Sequence, residues 1–182
     1  MTGTARRPTA AELEAAKERT LPDVIKPRLD VLFCGINPGL YSAATGYHFA
    51  RPGNRFWPAL HGAGFTPRQL RPEEQWDLLD VGLGVTNVVS RASARADELG
   101  QEELRVGGER LVELVREHEP KVLAVLGISA YRAAFGAAKA GVGEQDGIGA
   151  TRVWVLPNPS GLNAHYQLPD LVEEFRRLRR SL

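Results

Sequence analysis

Residues 30–39 read DVLFCGINPG, and the fold prediction rests on this segment. Val31–Cys34 is apolar at every position, which is typical of a strand buried on both faces of a parallel sheet. The glycines and proline that follow predict a tight turn in which Asn37 can both donate and accept hydrogen bonds. From these residues alone, Asn37 either satisfies its own backbone or serves a functional site.

Working outward, apolar strands alternate with helical segments along the chain. Further strands are predicted over residues 84–89, 122–126 and 152–156, and a flexible turn over residues 141–149. Helices are predicted from a capping box at Thr9 to about Arg19, and over residues 54–61, 73–79, 101–119, 129–138 and 169–182. This alternation predicts the α/β class with a mainly parallel sheet. Residues 1–26 are interpreted as an N-terminal extension with a helix, and residues 27–182 as one domain.

Composition excludes several classes of protein. The 182 residues include 23 Lys and Arg against 22 Asp and Glu, a net charge of +1, which neither demands nor forbids a nucleic-acid partner. A lone Cys34 excludes an internal disulfide and a cysteine-ligated metal cluster. The apolar runs are too short to span a bilayer, and the N-terminus lacks a signal sequence, so a cytoplasmic protein without a membrane partner is expected.

Two further polar segments of the chain are candidates for a binding site. Ligands of parallel sheets bind at the carboxyl ends of the strands, and both segments are predicted to lie at that edge of the sheet. Residues 40–57, LYSAATGYHFARPGNRFW, combine aromatic and small polar side chains, as suits a flat heterocycle. Phe56 and Trp57 are expected in the core, while His48 is either a satisfied loop histidine or a site residue. Residues 156–163, LPNPSGLN, present Leu162 either as a buried anchor or as an apolar wedge for DNA.

The order of these motifs resembles the mismatch-specific uracil/thymine DNA glycosylases of the uracil-DNA glycosylase superfamily. GINPG, NRFW, VTN and PNPSGL carry the resemblance, which extends over residues 27–180. It implies a three-layer α/β/α sandwich with a short, mainly parallel central sheet. It also implies a monofunctional, monomeric hydrolase that needs no cofactor or metal. Such an enzyme flips uracil, and also thymine or other modified pyrimidines, out of G·U or related mismatches in duplex DNA and leaves an abasic site.

The resemblance also implies roles for individual residues. Asn37 would position the water that attacks the sugar; a neutral amide cannot take its proton, so a dissociative and slow reaction is expected. Phe49 would stack on the flipped base, and Ser42 would face its 5-position. The full predicted base-binding set is Ile36, Ser42, His48, Phe49 and Asn87.

The predicted wedge and DNA-backbone contacts are Asn158, Pro159, Ser160, Gly161, Leu162 and Asn163. The segment after Leu162 lacks the arginine of some relatives, so a strict preference for an opposing guanine does not follow. Asp97 is interpreted either as a second catalytic group or as a solvated helix-flanking residue. The arginines expected near DNA phosphates are Arg51, Arg55, Arg91 and Arg95. The cluster at residues 176–180 either contacts phosphate or is a solvated helix face.

Parts of the sequence are also compatible with two other classes of protein. A nucleotide-binding or DNA-binding module without hydrolysis would keep the aromatic residues and the basic rim but need no positioned water. A dinucleotide-dependent enzyme is disfavoured because no G-x-G-x-x-G motif follows the first strand, and no P-loop is present.

Overall fold

A computed structural model describes residues 6–182 of the chain. The helices are α1 (Ala10–Ala15), α2 (Leu40–Thr45), α3 (Phe56–Gly62), α4 (Gln101–His118), α5 (Ile128–Phe135) and α6 (Leu168–Arg180), with 3₁₀ turns at Pro72–Val81 and Ala96–Glu98. The strands are β1 (Val31–Gly35), β2 (Leu83–Asn87), β3 (Val122–Leu126), β4 (Gly143–Ile148) and β5 (Thr151–Leu156).

The strands form one sheet in the order β2-β1-β3-β5-β4. The first four run parallel, and β4 pairs antiparallel with β5 at the edge. The predicted flexible turn over residues 141–149 is therefore wrong. An edge strand bonds to one neighbour through its backbone, so its polar sequence, GEQDGI, carries no apolar signal.

Helix α2 lies in the polar segment of residues 40–57, where the only helix predicted begins at residue 54. It has six residues and ends at Gly46, whose φ of +83° is the left-handed conformation that favours glycine. A helix this short shows less than two turns of apolar periodicity, so the hydrophobic pattern does not predict it.

Helices cover both faces of the sheet, because alternate strand residues point to opposite sides. Phe33 packs with residues of α3 and α6 in one cluster. Leu32 and Cys34 pack on the other face with residues of α4 and α5. The predicted three-layer α/β/α sandwich is confirmed, with its sheet mainly parallel.

The described part of the N-terminal segment packs against this sandwich. Thr9 and Glu12 form the predicted capping box, although α1 ends at Ala15 rather than near Arg19. Ala16 is buried in a small apolar cluster with Ala43 and Ala92. Residues 1–5 of the predicted extension lie outside the described residues. No helix within residues 6–182 is both long and apolar enough to cross a membrane.

Candidate active site

Two predicted site residues, Asn87 and Phe49, meet beside Gly35 at the end of β1. Gly35 pairs with Asn87 in the parallel register of these strands. A Cβ atom placed on Gly35 would lie 2.6 Å from Asn87 Oδ1 and 3.5 Å from the ring of Phe49. Only glycine allows this close approach, so the end of β1 brings the amide of Asn87 and the ring of Phe49 together.

Asn37 lies two residues beyond β1, and its amide has a fixed orientation. Its Nδ2 donates to the backbone carbonyl of Arg91 at 3.0 Å and to Ser93 Oγ at 2.8 Å. Since a carbonyl can only accept, the nitrogen must face Arg91. Oδ1 therefore points the other way, and within residues 6–182 no donor lies within hydrogen-bonding distance of it. That free acceptor is the group a positioned water would need.

Ser93 was missed by the sequence reasoning. It is 2% exposed, and its hydroxyl donates to the carbonyl of Arg95 at 2.8 Å, so its oxygen accepts from Asn37. Its backbone N–H bonds to the carbonyl of Pro38 at 3.2 Å, which joins the loops after β1 and β2. The sequence signal was weak, because one serine in a polar loop gives no sign of a partner 56 residues away.

Phe49 is held in an unusual backbone conformation. Its φ of +52° lies in the left-handed region, which costs a bulky residue about 1–3 kcal/mol. The ring stacks on Phe56 with centroids 4.1 Å apart and an interplanar angle of 29°. Such strain persists only where surrounding contacts impose it, so the position of this half-buried ring is set by the fold.

His48 and Ser42 supply those surrounding contacts. The backbone N–H of His48 donates to Gln75 Oε1 at 2.8 Å, and its Nε2 donates to the carbonyl of Pro22 at 2.9 Å. Burial lowers the pKa of the His48 imidazole, against the opposing effects of the Pro22 carbonyl and Asp23. Ser42 Oγ accepts from the backbone N–H of Ala50 at 3.1 Å. Both side chains therefore stabilise the conformation of the loop that carries Phe49.

Asn87 is 6% exposed, yet within the part of the chain that the structure describes its side-chain amide has no hydrogen-bond partner. Its backbone carbonyl accepts from the guanidinium of Arg110. The amide donor and acceptor of Asn87 are therefore not engaged by the protein, and this makes Asn87 a candidate binding position. Ile36, the remaining predicted base-binding residue, is half-buried and packs against the apolar cluster on the α4 and α5 side.

The loop of residues 157–163 follows β5 and is called the wedge loop below. Asn158 Oδ1 accepts from the N–H of Ser160 at 2.9 Å, and Ser160 Oγ accepts from the N–H of Leu162 at 3.2 Å. The amide of Asn163 donates to the carbonyl of Asn158 and accepts from the N–H of His165. Leu162 is 76% exposed, so it is not the buried anchor that one interpretation required.

Asp97 and most of the arginines have other partners. Asp97 is exposed and pairs with Arg95 at 3.0 Å, as the solvated alternative predicts. Arg91 pairs with Glu103 and Glu18. The cluster at residues 176–180 bonds to Glu173 and Glu174 on its own helix, near the opposite end of the sheet, where Arg152 contacts the carbonyl of Ser181.

The fold and these side chains define a class: a three-layer α/β/α domain with an asparagine, an aromatic ring and a second amide gathered at the carboxyl edge of a parallel sheet. Residues 22–181 match the family model of the uracil DNA glycosylase superfamily, so the chain belongs to that superfamily. It is therefore a DNA glycosylase, a hydrolase of the uracil-excising type that acts in DNA repair.

A solved structure has the same fold. The solution NMR structure of a candidate uracil DNA glycosylase from Methanosarcina acetivorans superimposes with a TM-score of 0.58 at 20% sequence identity. The match covers 89% of this chain and 98% of that one. At this identity the likeness concerns the fold.

Proposed function

We propose that this glycosylase flips uracil out of mismatched duplex DNA and hydrolyses its glycosidic bond with a water held by Asn37. The free Oδ1 of Asn37 carries the proposal, because two acceptors hold its Nδ2 and leave the oxygen to accept a hydrogen bond from water. An amide orients this water without deprotonating it. The base then departs first as an anion. The water adds to C1′ of the oxocarbenium-like sugar, and the proton that it loses passes to the uracil anion.

Phe49 and Asn87 are proposed to bind the flipped base. A ring fixed beside Gly35 offers a flat face for stacking, and the free amide of Asn87 can pair with a carbonyl and the N3–H of uracil. Hydrogen bonds to the base strengthen as negative charge develops on it, so they lower the barrier to its departure. Ile36, Ser42 and His48 then act mainly by keeping this pocket in shape.

Mismatch preference is proposed to come from the ease of flipping. The Asn163 amide is already engaged within the wedge loop, which leaves it little capacity to bind an orphan guanine. A weakly held base is extruded at lower cost than a well-paired one. We expect G·U to be cleaved faster than A·U, and uracil opposite other weakly pairing bases to be cleaved about as well as G·U. A monomer is expected to carry out the reaction.

The proposal is tested with Asn37→Ala on a G·U duplex. We expect abasic-site formation to fall by about 10²–10³-fold, as for other lost positioning contacts, while the Kd for the duplex stays within a few-fold of the wild-type value. Asp97→Ala, assayed in parallel, is expected to retain most activity. A wild-type protein that binds uracil DNA and leaves no abasic site would instead favour the binding module without hydrolysis.

A further inference from the structure

The side chain of Arg55 spans the gap between α3 and the wedge loop. Arg55 directly precedes α3, and its half-buried guanidinium donates to the carbonyls of Tyr166 and Ser160 and, at 3.1 Å, to that of Asn163. Its Nε approaches the carbonyl of Pro159 at 3.4 Å. The backbone N–H of Arg55 donates to this same carbonyl at 2.9 Å. Arg55 thus contacts three carbonyls of the wedge loop and a fourth, that of Tyr166, just beyond it, all more than 100 positions away.

These contacts leave Arg55 unsuited to the phosphate-binding role expected from its position. A guanidinium has five N–H donors in a rigid fork, and here four of them point at backbone carbonyls. Arg51, four residues earlier, is exposed, and within residues 6–182 its guanidinium has no hydrogen-bond or ion-pair partner. The two arginines therefore separate into one that faces solvent and one that faces the wedge loop.

The wedge loop needs such support. Its Leu162 is exposed to water, so the side chain gains no burial that would hold the loop in place. The local turns fix neighbouring residues relative to one another, but not relative to Asn37 and Phe49. Gly161 packs so closely on the loop before α3 that a Cβ atom there would lie 2.7 Å from the carbonyl oxygen of Gly53.

We propose that Arg55 is a positioning residue that holds the wedge loop rigid, so that Leu162 enters the base stack while the flipped base reaches Phe49. This inference rests on the proposed function. Because the loop is ordered before DNA binds, its ordering entropy is not lost at the moment of flipping. A misplacement of about 1 Å costs up to about 100-fold in rate.

The test measures excision of uracil from a G·U duplex by five variants. Three are the single variants Arg55→Ala, Arg55→Lys and Leu162→Ala, and two combine Leu162→Ala with either Arg55 substitution. We expect either Arg55 variant to lower excision from a G·U duplex by about tenfold, the loss also expected for Leu162→Ala, mainly in kcat. Lysine is a point donor and cannot reproduce the fork, so it should not rescue. Because Arg55 acts through Leu162, adding Leu162→Ala should cost little more. Where Arg55→Ala fails to fold, Arg55→Lys carries the comparison.

Flipping is measured separately with 2-aminopurine fluorescence beside 2′-fluorodeoxyuridine, whose glycosidic bond resists hydrolysis. Both Arg55 variants should lose the fluorescence rise and keep the wild-type salt dependence of DNA binding. Arg51→Ala should instead reduce the slope of that salt dependence by about one. Additive losses with Leu162→Ala, rescue by lysine, or a reduced salt slope for Arg55→Ala would each overturn the proposal. A failure of the proposed function gives a different result, because the wild-type protein itself would then leave no abasic site on any uracil duplex.

Discussion

The site loops after β1 and β2 and the wedge loop after β5 lie at the same edge of the sheet but are built differently. The first are joined by the backbone pairing of the parallel strands, which continues beyond them to Ser93. The wedge loop has local turns and the guanidinium of Arg55. We infer that the sheet sets the proposed positions of the water and the base, whereas the position of Leu162 depends mainly on the contacts of Arg55.

This difference predicts two kinds of loss. Asn37→Ala should lower kcat by about 10²–10³-fold whether uracil lies in a duplex or in an unpaired loop, because water positioning is needed in both. Leu162→Ala should cost about tenfold on the duplex and little on the unpaired uracil, where no stack must be opened. Single-turnover rates on duplex and on unpaired uracil measure the loss for each variant. Equal losses for Leu162→Ala on both would contradict the division.

A matched pair of serines sharpens the comparison. Ser93→Ala removes one of the two acceptors that hold Asn37 Nδ2. Because a hydrogen bond contributes about 1 kcal/mol net, we expect kcat to fall about fivefold. Ser160→Ala removes the bond to the N–H of Leu162, while Arg55 still holds the loop, so about a twofold loss confined to duplex DNA is expected. Excision rates at saturating DNA, measured on duplex and on unpaired uracil, distinguish Ser93→Ala from Ser160→Ala. A larger loss for Ser160→Ala than for Ser93→Ala would reverse the comparison.

The difference between locally determined and distantly supported loops also explains which features the sequence could predict. Val31–Cys34 and the turn at Asn37 have local signatures, an apolar run and turn residues, so β1 and its polar turn were predicted. The likeness to uracil DNA glycosylases pointed to Phe49 and Asn87, and the structure brings both beside Gly35. Their roles in binding the base stay predictions.

The features that the sequence did not reveal depend on distant partners. The bond between Ser93 and Asn37, and the contacts of Arg55 with carbonyls 104 to 111 residues away, have no local pattern. Arg55 was expected to contact DNA phosphate because charge alone suggests a solvent-facing role. Strand β4 was missed for a related reason, since its pairing with β5 is made by backbone groups that every sequence has.

The smallest expected effect concerns His48, which supports the Phe49 loop. Burial lowers the pKa of its imidazole, so between the folded value and the unfolded value of about 6.5 the unfolded chain binds more protons. The free energy of unfolding should therefore decrease as pH falls through about 6.5, and this contribution is fully present only above that pH. The wedge loop is held through backbone carbonyls, which do not titrate, so this dependence belongs to the Phe49 loop.

His48→Gln tests this dependence, because a glutamine amide can still donate to the carbonyl of Pro22 without titrating. Urea unfolding at several pH values between 7.5 and 5.5 should show a smaller acid-induced loss of stability for His48→Gln than for the wild type. If His48→Gln instead follows the wild type, another group must supply the proton uptake, and the Phe49 loop would then be no more sensitive to acid than the wedge loop.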